Sequence, residues 1–154
     1  IVEGIIRLSI FLAFLLTTLL MKDMRRVFMY HGAEHKTVFA WEHGQELTVE
    51  NIKRFSTRHP RCGTSFILVV FVISILIFSL LGRPDFLMRV AYKLSLFPLI
   101  AGISYEIIRF SGKHKEKGWV NAISWPGLLL QKITTREPTD DQIEVAVAAM
   151  KKVI

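Results

Sequence analysis

TSFILVVFVISILIFSLL, residues 64–81, is a run of 18 residues without a charge. An α-helix of that length rises about 27 Å, just enough to cross a hydrocarbon core of about 30 Å. Two further apolar blocks stand on either side. Ile5–Met21 is interrupted only by Arg7, and Phe86–Ile108 is a less pure run carrying Arg89, Lys93, Pro98 and Glu106. The whole chain has 154 residues, a length that suits one domain, and 51% of them are hydrophobic. That share is close to the soluble average, so the clustering into blocks is what decides. The blocks predict an all-α, polytopic membrane protein with membrane helices at about 5–21, 64–81 and 86–108. The first residue is Ile, which reads as a piece of a longer chain lacking its N-terminal part, or as a processed form. No small-residue cleavage site follows Met21, and the sequence runs straight into KDMRR, so the first block reads as an anchor rather than a signal peptide.

Charge gives a topology. Lys22, Arg25, Arg26, Lys36, Lys53, Arg54, Arg58 and Arg61 lie between the first two blocks, and Arg109, Lys113, Lys115 and Lys117 follow the third. The link Gly82-Arg83-Pro84-Asp85 holds one basic residue. Basic flanks stay cytoplasmic, so residues 22–63 and 109–154 are expected inside, and residues 64–108 form a hairpin with its tip outside. Arg89 and Lys93 lie near the outer end of the third block and can snorkel. The net charge of +7 therefore points to anionic lipid headgroups. Nucleic acid is not implied, because no aromatic-interleaved basic surface or groove-reading motif is present. The single cysteine, Cys62, excludes an intrachain disulfide.

Outside the blocks the sequence predicts cytoplasmic and interfacial amphipathic helices. Met24–Trp41 has helical character, and Thr48 caps a short helix that ends near Phe55. Pro98 is expected to kink the third membrane helix. Trp119–Ile133 is apolar but interrupted at Pro126-Gly127, and its tryptophans suit the membrane interface. Thr139-Asp140-Asp141-Gln142 is a capping box. The helix behind it places Ile143, Val147, Met150 and Ile154 on one face.

The densest polar cluster is Tyr30-His31-Gly32-Ala33-Glu34-His35-Lys36. His31 and His35 are four apart and share one helix face, a spacing at which two imidazoles bind one transition metal. The pattern H-x-x-E-H inverts the H-E-x-x-H zinc signature. In such sites the histidines hold zinc and the glutamate takes a proton from metal-bound water. That reading makes His31 and His35 zinc ligands and Glu34 the general base; the alternative is an amphipathic helix with solvated or hydrogen-bonded histidines. Glu106, 71 positions beyond His35, resembles the third ligand that inverse-motif proteases take from a later helix. Glu106 reads equally as an ion-pair partner of Arg109 or Arg61. His59 is the reserve ligand, in the tolerable two-ligand spacing His59-x-x-Cys62, and Cys62 itself reads as a small buried residue at a helix entrance. His43 and His114 read as solvated. There is no glycine-rich phosphate loop, no Gly-x-Ser-x-Gly and no dinucleotide fingerprint.

YHGAEHKTVFAWE (30–42), RHPRCGTSF (58–66), GISYEIIRF (102–110) and PGLLLQKITTREPTDDQIEVAVAAM (126–150) resemble the blocks of the YqhQ-like bacterial membrane family, domain of unknown function 1385. The resemblance implies a multi-pass protein of the bacterial inner (plasma) membrane. The family is labelled a predicted metal-dependent enzyme, and His31, Glu34, His35, His59, Cys62 and Glu106 all fall inside its characteristic blocks.

Three functional readings follow. The first is a metal-dependent hydrolase, acting on a peptide or amide bond, with its site at the cytoplasmic face of the membrane. The second is a non-enzymatic scaffold or assembly factor in which the His/Glu cluster is a structural network and the C-terminal helix docks a protein partner or a second copy. The third is a transport pathway past Glu106, Tyr105 and Pro98, which would require oligomerisation.

Overall fold

A computed structural model describes residues 2–82, 84–114 and 118–154, with the side chains of Trp119, Asn121 and Ile123 excepted. Arg83, Lys115 and Lys117 of the charge count, and the side chain of Trp119, lie outside the described residues. Among the described residues the regular structure is α-helical throughout: α1 (Val2–Thr18), α2 (Lys22–Glu42), α3 (Val49–Lys53), α4 (Gly63–Leu80), α5 (Phe86–Lys113), α6 (Gly118–Thr134) and α7 (Asp140–Met150). Two helices, α4 and α5, are long and apolar enough to cross a membrane, and α1 with α2 adds a third if the pair is one bent span.

The boundaries differ from expectation in three places, each for a local reason. The first block ends as helix at Thr18, not Met21. Thr17 and Thr18 turn their hydroxyls onto the carbonyls of Phe14 and Leu15, each at 2.7 Å, and Arg25 Nε donates to the Leu19 carbonyl at 2.5 Å. The third block continues past Ile108 to Lys113, a helix of 28 residues with Pro98 inside it as expected. Proline removes a single ladder donor, which a helix of that length absorbs. For the same reason Pro126 does not interrupt α6, a single helix of 17 residues.

The chain divides into two compact units, residues 1–12 with 60–127, and residues 13–59 with 128–154. In the first unit α4 packs along α5, and small residues set the close approaches. A Cβ on Gly127 would stand 2.6 Å from Ser65 Oγ, and one on Gly112 would stand 2.5 Å from Arg61 Nε. Small residues let membrane-type helices approach when no hydrophobic force separates protein from lipid. Asp85 caps α5 by accepting from Met88 N at 2.9 Å. Gly82, at φ 69°, closes the turn after α4, a left-handed conformation that glycine adopts at no steric cost.

In the second unit α7 lies across α2 and α3. Ala33, Ala40, Ile52 and Ile143 are fully buried, and Leu47, Val49, Phe55, Ala146 and Val147 pack around them. The predicted caps are present. Thr48 Oγ1 accepts from Asn51 N at 3.4 Å, and the Thr139 amide donates to Gln142 Oε1 at 3.0 Å. Of the predicted face of α7, Ile143 and Val147 are used inside this core, while Ile154 is exposed.

Candidate metal centre

The site begins with α2. Its period places His31 and His35 one turn apart on the same side, and their ring centroids stand 4.3 Å apart, edge to face. His35 is buried and His31 half-buried. Each ring is held by a backbone carbonyl. His31 Nδ1 lies 2.8 Å from Thr134 O, and His35 Nδ1 lies 2.5 Å from Thr57 O. A carbonyl only accepts, so both Nδ1 atoms carry a proton, and the tautomer this selects has its lone pair on Nε2. Metal-ligating histidines are oriented by this same second contact, which fixes the tautomer and raises the basicity of the ligating nitrogen.

The partner carbonyls have their own structural reasons. Thr134 ends α6, so its carbonyl is one of the last four that a helix cannot satisfy internally. The strand of chain behind it is pressed onto α2 at Gly32. A Cβ there would lie 2.0 Å from the Arg136 carbonyl oxygen, and Arg136 N donates to Phe28 O at 2.9 Å. Glycine between the two histidines is thus required by close approach.

His59 joins the same cluster. Its ring centroid is 5.9 Å from that of His35 and 4.5 Å from that of Phe39. Gln131, fully buried, clamps its backbone from both sides, accepting from His59 N at 2.7 Å and donating to His59 O at 2.8 Å. His59 Nε2 faces Glu42 Oε2 at 3.3 Å. Glu42 was not among the residues singled out from the sequence. The signal was there, since Glu42 follows His35 by seven positions, two helix turns along the same face. Lys36 is a second unforeseen element: it is buried, ion-paired with Glu137 Oε2 at 2.7 Å and donating to Lys53 O at 3.0 Å.

Cys62 is buried as read from the sequence and caps α4, its Sγ accepting from Thr64 N at 3.4 Å. Glu34 is exposed. Glu106 is exposed and pairs with Arg109 Nη1 at 3.2 Å, the ion-pair alternative. His43 Nδ1 turns back onto the Phe39 carbonyl at 2.8 Å, and His114 stacks on Phe110.

Fold and site together define a class: a chain whose described regular structure is all-helical, with two or three candidate membrane spans and three neighbouring histidines, His31, His35 and His59. The chain belongs to the family described as "Protein of unknown function (DUF1385)", whose model matches residues 1–154. It is 33% identical, over 153 residues and 99% of its length, to the "Uncharacterized protein YqhQ" of Bacillus subtilis (strain 168), of which it covers 48%. The chain therefore spans about half the length of that curated relative. No solved structure matches it.

Proposed function

We propose that this chain is part of a multi-pass bacterial membrane protein that holds a divalent transition metal on His31 and His35, with His59 of the same unit as third ligand, at the cytoplasmic face. One observation carries the reading: both histidines have Nδ1 fixed on a backbone carbonyl, the arrangement that presents Nε2 as ligand. Imidazole donors favour zinc and other transition metals over the hard cations.

His59, its ring beside that of His35 and paired with Glu42, is the third donor. Three histidine donors would leave a fourth position open to an outside ligand, the pattern of reactive rather than purely structural zinc sites. Bound there, the metal would act as a Lewis acid and lower the pKa of coordinated water. Hydrolysis of a peptide or amide bond through Glu34 gains no support from a side chain that is exposed.

The scaffold reading also has an observation in its favour. His31–Thr134, His35–Thr57 and Lys36–Glu137 tie α2 to distant segments, and Gln131–His59 ties α6 to the loop after α3, which a purely structural network would also do. Elemental analysis of the purified full-length protein separates the two. The metal reading expects about one zinc per chain and its loss in His31→Ala and His35→Ala. Metal-free protein that takes up none on addition of zinc would overturn the metal reading.

A further inference from the structure

A cavity of about 960 Å³ opens in the first unit among α1, α4 and α5. It is independent of the histidine site. Its lining follows one face of α4 from Phe66 to Ser79, a path of about 20 Å at 1.5 Å per residue. That exceeds the depth of one leaflet's hydrocarbon, about 15 Å. Its volume lies at the upper end of the ligand-pocket range of about 300–1,000 Å³.

The lining is not uniform along that path. Arg7, Ser74 and Lys93 are among the lining residues, and helix arithmetic places them at one level. α1 touches α4 at Gly4–Ile75 and at Phe11–Phe71, so Arg7 falls between these contacts. Lys93 is seven residues into α5, about 10 Å from its start. Ser74 lies about as far back from the end of α4. Beyond that level the walls are Phe66, Val70, Phe71, Phe97, Ile100 and Ala101, apolar throughout. Glu3 pairs with Arg7, so the described lining carries one uncompensated positive charge, on Lys93.

We infer that this cavity is a binding site for an anionic phospholipid, its phosphate at the Arg7–Ser74–Lys93 level and one acyl chain along the apolar half. A cation inside an apolar helix bundle is costly unless it meets a counter-ion, and a basic pocket between membrane helices is suited to a lipid phosphate. Length, charge and polarity change at the same level of the groove, which a chance gap between helices does not require. α4 and α5 are themselves the candidate spans, so lipid is the surrounding medium.

Native mass spectrometry of the purified full-length protein in detergent tests this. The protein is titrated with phosphatidylglycerol and with phosphatidylcholine of the same acyl chains. The expected result is preferential retention of phosphatidylglycerol, with Lys93→Gln reducing that preference about fivefold, the effect of one basic group on an anionic lipid. Ala101→Trp, which fills the apolar half, should reduce retention of both lipids, with helical content unchanged by circular dichroism in both variants. Equal retention of the two lipids, indifference to Lys93→Gln, or a dimer that excludes lipid and is broken by Ala101→Trp would each overturn the inference.

Discussion

Gly32→Ala places one methyl group where the structure has no room for it. The new Cβ would lie 2.0 Å from the Arg136 carbonyl oxygen, 3.1 Å from its carbon and 3.3 Å from Thr57 Cγ2. Carbon and carbonyl oxygen approach no closer than about 3.3 Å in ordinary contacts, so residues around Arg136 must retreat by more than about 1 Å. The obstacle is backbone, which cannot rotate away as a side chain would. The retreat pulls on Arg136 N, bonded to Phe28 O at 2.9 Å, and on Thr134 O, bonded to His31 Nδ1 at 2.8 Å. Overpacking costs about 1–3 kcal/mol and each of the two hydrogen bonds about 0.5–1.5 kcal/mol. The expected destabilisation is about 2–5 kcal/mol, read by denaturant or thermal unfolding of the protein in detergent. Because His31 also loses its orienting partner, zinc affinity should fall about 10–100-fold, read by competition with a chromogenic chelator. Ala at position 32 with stability within about 0.5 kcal/mol of the parent and unchanged zinc affinity would refute the reasoning.

Gln131→Leu leaves the buried N–H and C=O of His59 without the partners seen at 2.7 and 2.8 Å; two such losses cost about 2–5 kcal/mol, and amide exchange at His59 should accelerate accordingly. Ile143→Ala empties a fully buried position in the core of α2, α3 and α7 and should cost about 2–5 kcal/mol in the same unfolding assay. The Thr139 hydroxyl, bonded to Asp141, is the main cause holding that carboxyl below the usual range. A lowered folded pKa stabilises above the unfolded value near 3.9 and the effect is lost as pH falls through the folded value. Protection factors of the α7 amides, corrected for the intrinsic exchange rate, should therefore be flat near neutrality and fall only in acid, and Thr139→Ala should return the Asp141 titration, followed by NMR, toward the ordinary value.

Much of this architecture was legible because its signals are local. The uncharged run 64–81 gives α4 directly, and Thr48, Asp85 and Thr139 mark helix starts that depend only on neighbours within one turn. Helix ends were harder. The hydroxyls of Thr17 and Thr18 end α1 early, and the prolines at 98 and 126 are absorbed within helices, because a proline's cost depends on how much helix surrounds it.

At the site, the i, i+4 spacing alone was enough to pair His31 with His35. The carbonyls of Thr57 and Thr134 that fix their tautomers are contributed by backbone 22 and 103 positions away, and no side-chain pattern announces a carbonyl. Glu106, three residues from Arg109, had a local partner within reach.

X-ray absorption at the zinc edge, on protein purified without chelator, tests the central claim most directly. The account predicts histidine nitrogen scatterers at about 2.0–2.1 Å, one of them lost in His31→Ala and one in His35→Ala. A first shell unchanged by either substitution would contradict it.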